Sequence, residues 1–445
     1  MFSRPSRRVA LITVTLLLCA LTLALAYANK ARCAGGEFYD DGRSVVFDDI
    51  KDSDVCYSDI QYLWLGRDID QHVFPYIHGG ITAEGELTGG AVEYPVLSGL
   101  LIWLGALGAD NDADFLAQSA WLLAPFGLLT VALLVLLTGR TALLWAGGPP
   151  LVLYGSHNWD LPVVCTTVAA VYVTTLTRYS VRKRGVLAAI ALGVGICLKI
   201  YPGIFLLPLL AFVLTSERRD RGPDMRGAAL TLGAAVATVV AINLPFMLLG
   251  YQGWRASITF QQMRTVDITT NSIWYWGLRR MFDPDYAGEV DFQQVVSVLS
   301  PSLLLGAFAL ALWLGWQRYG ETGVYPWIGV GAAMLCAFMV LHKVHSPQYT
   351  LWLLPFLILL TLPWPVIGAY LVADLAIGVG VFRYFHALVT GRWVELSESV
   401  VQFGVWGRAI LLVILFGLFV RAEPRWVRRE PPRVPRYEPG TLVPA

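Results

Sequence analysis

Long apolar runs separated by short polar pieces dominate this chain from end to end. They occupy residues 8–28, 94–109, 114–137, 141–155, 160–178, 185–198, 202–215, 227–249, 297–316, 324–341, 348–363, 366–384 and 403–421. Such runs predict membrane helices, because a helix satisfies its own backbone groups in lipid and about 20 apolar residues cross the hydrocarbon. The pattern is not that of a barrel. The expected fold class is all-α and integral to a membrane, a polytopic helical bundle with large loops on one side.

Basic residues in the short polar pieces orient the bundle. Arg4, Arg7 and Arg8 precede the first run; Arg178, Arg182, Lys183 and Arg184 cluster near residue 180. Arg218, Arg219, Arg221 and Arg226 cluster near 220, and Arg421, Arg425, Arg428 and Arg429 follow the last run. All four clusters are expected in the cytoplasm, so the number of crossings is even. Of the thirteen segments, 141–155 is short and broken by Gly147-Gly148-Pro149-Pro150. It is read as dipping in and returning, which leaves about twelve transmembrane helices and puts the turn at Asp110 and Asp112 inside. The first run has a basic start and two small-x-small patterns, Ala24-Leu25-Ala26 and Ala26-Tyr27-Ala28, but is of spanning length and is read as a retained signal anchor. One membrane domain, 1–422, then precedes a Pro- and Arg-rich cytoplasmic tail, 423–445.

Composition agrees: 56% of the 445 residues are hydrophobic and 15% charged, against about 25% charged in soluble domains. The net charge of +1 gives no support to a nucleic-acid partner. Cys19, Cys165, Cys197 and Cys336 fall in apolar runs and read as packing residues. Cys33 and Cys56 lie in the first loop; outside the cytoplasm they can pair, although spacing does not fix their geometry.

In this topology all six histidines and most polar clusters gather at the extracytoplasmic face. The first loop offers Asp59 as a catalytic base, with Tyr62 beside it and Glu93 as a second carboxylate; the bland alternative is a solvated loop in which Ser58 or Asp59 caps a short interfacial helix. His157-Asn158-Trp159-Asp160 stands at the outer end of a span, beyond what interface anchoring requires. Lys199 crowns a short hairpin, where it either snorkels to the surface or meets an anion. The loop 250–296 interleaves Arg264, Asp267 and Asn271 with Trp274 and Tyr275, a mixture that suits sugar faces and phosphate oxygens. His342-Lys343-Val344-His345-Ser346-Pro347-Gln348 brings further cations to a span boundary. No Gly-rich phosphate loop, GxSxG or Cys-x-x-Cys appears.

These pieces together resemble the polyprenol-phosphate-sugar-dependent glycosyltransferases of the C type (GT-C). They are most similar to the actinobacterial branch with phosphatidylinositol-mannoside mannosyltransferases and an arabinofuranosyltransferase. The resemblance rests on Ser58-Asp59-Ile60, Glu93-Tyr94-Pro95, Asn158-Trp159-Asp160-Leu161, Lys199 with Tyr201-Pro202, and Asn243-Leu244-Pro245-Phe246. It continues through Gly253-Trp254, Arg264, Ser272-Ile273-Trp274-Tyr275, and Lys343-Val344 with Ser346-Pro347-Gln348-Tyr349. It implies an inverting hexosyltransferase in the plasma membrane, with both termini cytoplasmic. Asp59 would deprotonate a hydroxyl of a cell-envelope glycolipid or glycan, while Lys199, Arg264, Lys343 and His345 hold the donor phosphate. Tyr62, His157, Asn158, Asp160, Trp274, Tyr275 and Gln348 would contact sugar or acceptor. Mannose is the expected sugar and arabinofuranose the alternative; no cofactor is required, and the scheme does not demand a metal. The rival class is a lipid-linked sugar transporter, for which Asp374 is the clear mid-span acid.

Overall fold

In a computed structural model, which describes residues 5–216 and 222–427, the chain is a helical bundle with one elaborated end. Helix α1 (Pro5–Ala31) leads into a loop holding α2 (Val46–Ile50), α3 (Asp59–Gly66) and an antiparallel pair, β1 (Gly80–Ile81) with β2 (Leu87–Thr88). Next come α4 (Val96–Gly105), α5 (Asp112–Thr138), α6 (Leu143–Ala146), α7 (Pro149–Tyr154), α8 (Asp160–Thr174) and α9 (Val181–Leu198). The middle of the chain forms α10 (Leu206–Leu214), α11 (Met225–Leu249), α12 (Tyr251–Met263) and α13 (Ile273–Trp276). The remainder is α14 (Tyr286–Thr322), α15 (Trp327–Leu341), α16 (Thr350–Leu359), α17 (Trp364–Thr390) and α18 (Val394–Arg421). Among the described residues six helices are long and apolar enough to cross a membrane, with shorter apolar helices between them. Every residue of α16 and nearly all of α15 is buried, whereas α11 buries only Gly227, Thr231 and Ala235. The packed core therefore runs through α15 and α16, and α11 presents its apolar surface outward, as lipid allows.

Two segments exchange the roles expected of them. At ten residues α4 is about 15 Å long, half of a hydrocarbon core. It packs beside Leu198, whose carbonyl accepts from Ser98 at 2.7 Å, and beside Ser119 through Gly105. The turn after it stays at the Asp59 end: the Asp112 backbone N–H donates to the Gly42 carbonyl, and its carboxylate accepts from Gln61, Arg43 and Ser44. The acidic turn thus lies beside the first loop, opposite to expectation, and α5 runs antiparallel to α1. The segment 141–155 instead traverses the bundle. Gly147 meets Leu18 and Gly155 meets Ala26, eight residues further along each chain, so α6 and α7 climb parallel to α1. Thr22 donates to the Ala146 carbonyl at 2.6 Å, which satisfies a group freed by the Gly-Pro break. The exchange leaves twelve passes between the two ends among the described residues. Short length misidentified the wrong segment; burial inside the bundle is what lets broken helices cross.

Cys33 and Cys56 form a disulfide with Cα atoms 5.7 Å apart, while the other four cysteines are free and buried. At the far end the described start of the tail is docked: Glu423 and Arg425 hydrogen-bond to Thr361 and Leu359. Residues 428–445, like the cluster Arg218, Arg219 and Arg221, lie outside the described residues.

Candidate functional site

Local sequence explains how Asp59 is presented. Ser58 is extended and caps α3 by accepting from the Ile60 N–H, so Asp59 becomes the first helical residue. The Ser58 hydroxyl also donates to the Ser156 carbonyl at 2.9 Å, and the Asp59 N–H donates to the His157 carbonyl at 2.9 Å. Ile60, Leu63 and Trp64 anchor the helix in the core. These bonds fasten the first loop to the turn between α7 and α8, although the two are about a hundred residues apart in the chain.

The Asp59 side chain remains 22% exposed. Its Oδ1 accepts from the Tyr57 hydroxyl at 3.0 Å; its Oδ2 accepts from Asn158 Nδ2 at 2.6 Å and from Gln348 Nε2 at 3.4 Å. His157 Nδ1 lies 3.1 Å from the Tyr57 carbonyl, which only accepts, so that nitrogen carries the proton. Burial pushes His157 down to about 4, and its Nε2 rests 3.8 Å from Asp59. At neutral pH it is thus an uncharged neighbour of the carboxylate. Burial, then the Asp59 charge, holds the Tyr57 hydroxyl well above the usual tyrosine range, and it stays a donor.

The other expected carboxylates are occupied. Glu93 is bound by Arg67 at 2.7 Å, and its backbone carbonyl accepts from Gln261 at 3.0 Å. Asp160 is wholly buried and accepts from Lys199 and from the Trp352 indole, each at 2.7 Å. Lys199 is itself only 7% exposed and also donates to Asn158 Oδ1 at 3.0 Å. Of the two expectations for the hairpin tip, snorkelling to the surface or meeting an anion, Lys199 takes the second, and the anion it meets is the protein's own Asp160.

Arg264 and Lys343 are half-buried, and among the described residues no carboxylate lies within ion-pair distance of either. The Lys343 ammonium donates to the backbone carbonyls of Arg264 and, at 3.3 Å, Gln262. Burial, then the Arg264 charge, lowers Lys343 from the usual lysine range. Beside them His342 stacks on Phe338 at 4.7 Å. Tyr349 follows the Gln348 that reaches Asp59, stacks on Trp352 at 3.8 Å and lies 6.3 Å from the Phe338 ring that carries His342, so an aromatic wall runs from the carboxylate toward the cations.

Three expected site residues fall elsewhere. His345 is buried, with Nδ1 3.0 Å from the Met339 carbonyl, and its main-chain N–H donates to Thr270; it anchors the loop and is pushed well below the usual histidine range by burial. Trp274 donates to the Leu341 carbonyl at 3.0 Å and packs with Val266, Phe292 and Val296. Tyr275 packs on Trp276 within reach of Arg279 and Glu289. Tyr62 lies at the rim, 48% exposed, with its ring 5.8 Å from Tyr57. Tyr57 and Trp352 were not singled out from sequence as site residues; their adjacency to Asp59 and to the Gln348-Tyr349 stretch was the available signal. Among the described residues no three His, Cys, Asp or Glu side chains converge as metal ligands.

Fold and site together define a multi-pass helical membrane protein with a carboxylate-centred polar site at one end. No known family matches the chain by sequence, and no curated protein does. Among solved structures, ArnT from Cupriavidus metallidurans bound to undecaprenyl phosphate aligns over 94% of this chain and 78% of its own, at 15% identity and a TM-score of 0.43. The Archaeoglobus fulgidus oligosaccharyltransferase aligns over 93% of this chain and 56% of its own, at 14% identity and a TM-score of 0.41. Likenesses at this level carry no weight for substrate or chemistry.

Proposed function

We propose that this protein is a glycosyltransferase that moves a sugar, mannose ahead of arabinofuranose, from a polyprenyl-phosphate donor to a hydroxyl of a cell-envelope glycolipid or glycan. The observation that carries the reading is the pairing of one open carboxylate, Asp59, with two carboxylate-free cations, Arg264 and Lys343, across a shared aromatic wall. The motif resemblance supports the donor class. Asp59 takes the proton of the acceptor hydroxyl as its oxygen attacks the anomeric carbon. The sugar–phosphate bond breaks and its electron pair leaves with the lipid phosphate, whose charge Arg264 and Lys343 stabilise. Of the three carboxylates expected at the site, Glu93 is tied to Arg67 and Asp160 to Lys199, which leaves Asp59 for chemistry and favours single displacement and inversion. Basic residues such as Arg140, Arg182 and Arg184 at the opposite end support an extracytoplasmic site, as does the disulfide in the first loop.

The test is transfer of radiolabelled mannose from polyprenyl-phosphate mannose to membrane lipid extract by wild type and Asp59→Asn. Wild type should transfer, and the variant should be slower by about 10²–10⁴-fold, the usual contribution of a general base. Equal transfer by both overturns the role of Asp59. If wild type fails with mannose and with polyprenyl-phosphate arabinose alike, the reaction class is wrong.

A further inference from the structure

Asn158 is 2% exposed, and its side-chain amide has two donor and two acceptor positions. All four are filled. Nδ2 donates to Asp59 at 2.6 Å and to the Tyr94 hydroxyl at 2.8 Å; Oδ1 accepts from Lys199 at 3.0 Å and from the Trp159 N–H at 2.6 Å. No capacity is left for a sugar, so Asn158 has no direct substrate contact to make. The amide orientation is set by its partners, because an ammonium only donates and a carboxylate only accepts. Lys199 in turn is held by Asp160, and its ammonium lies 5.2 Å from the Tyr94 ring centroid and 5.6 Å from that of Trp352.

We propose that Lys199 is a positioning residue, which locks Asn158 in the orientation that fixes Asp59 as acceptor and Tyr94 as donor toward substrate. This rests on the reading of Asp59 as base. The Tyr94 oxygen receives the Asn158 N–H, and among the described residues no group accepts the Tyr94 O–H. Its proton is therefore free for a substrate oxygen beside the carboxylate, since both groups bond to one nitrogen. The Asp160–Lys199 pair keeps the ammonium away from the donor phosphate and places its charge behind the amide. A polarised amide is a stronger donor to a carboxylate. The titratable groups facing Asp59 are Tyr57, Tyr94, His157, Tyr349 and Lys30.

The variant for the test is Lys199→Met with Asp160→Asn, which removes both charges together and keeps an oxygen for the Trp352 indole. The expected result is a folded protein with donor KM within a few-fold of wild type and kcat lower by about 10–100-fold. The acid limb of its pH–rate profile should move to higher pH, because the carboxylate has lost a polarised donor. Tyr94→Phe should lower kcat alone, yet cost little more in the double-variant background. A raised donor KM with kcat retained would make Lys199 a phosphate contact and overturn the proposal. Wild-type kcat and pH profile, or a full additional loss from Tyr94→Phe, would reduce the pair to a packing brace and overturn it as well. Should the double variant not fold, Lys199→Arg supplies the same readouts, with partial loss of kcat at unchanged KM expected. Asp59→Asn is run in parallel: its retention of activity would remove the underlying reading, independently of Lys199.

Discussion

At the scale of single residues, position in the sequence announced chemistry but not the partner each group would find. Asp59, Asn158, Asp160 and Lys199 are legible because more polar groups cluster at these ends of the apolar runs than interface anchoring requires. That Lys199 is consumed by Asp160, while Arg264 and Lys343 stay free of carboxylates, depends on which helix ends become neighbours. Replacing either Arg264 or Lys343 by Ala should raise donor KM about 10-fold or more, the order expected of a charge-assisted hydrogen bond. Steady-state kinetics with varied donor checks this, and the fold should be unchanged. His157 gives a pH prediction. Its folded value of about 4 lies below the ordinary 6.5, so the unfolded chain binds the proton first as pH falls. This group's stabilising contribution is full above about pH 6.5 and is lost progressively toward pH 4. Thermal unfolding at pH 7 and 5 should show that loss, and His157→Gln should lessen it.

At the scale of elements, capping and breaking signals were readable, and depth in the membrane was not. Ser58 as the cap of α3 follows from its side chain alone. Whether α4 crosses depends on what its flanks meet. Tyr76, at φ +65°, donates through its hydroxyl to the Tyr94 carbonyl at 2.8 Å and lies against Gly99, where a Cβ would come within 2.2 Å of that hydroxyl. The loop before α4 thereby grips its first turns, and Asp112 grips the loop before that. Asp112 is fully buried beneath Arg43, Ser44 and Gln61. Asp112→Ala leaves the Arg43 guanidinium buried without its carboxylate and should destabilise by about 3–5 kcal/mol. Chemical denaturation in detergent measures the loss, and trypsin cleavage within the first loop should accelerate.

For the whole molecule, the twelve passes and the single elaborated end gather the polar groups of the candidate site at one face. All six histidines lie at that end, as the apolar pattern implied, because every pass delivers its polar turn to one face or the other. The same geometry yields a topological test. A cysteine introduced at Asp110 should react with an impermeant thiol reagent from the same side as one introduced at Glu84, and one at Arg140 from the opposite side. The free cysteines are buried and give a low background. Labelling of the 110 position together with 140 would mean that α4 crosses after all. Arg408 lies at the middle of α18 and is buried. Asp374 accepts from Thr350 and Tyr154 within the same bundle.

By itself the sequence determined the solvent of the protein, the number of passes and which polar groups stand at the ends of its apolar runs. Those follow from the cost of exposing backbone and charge to lipid, and that cost is local to each segment. Tertiary structure decided that 141–155 crosses and 94–109 does not, that Cys33 meets Cys56, and that Lys199 serves Asn158. Each depends on contacts between segments far apart in the chain, where two partners satisfy each other's buried polar groups, and no single segment carries that information.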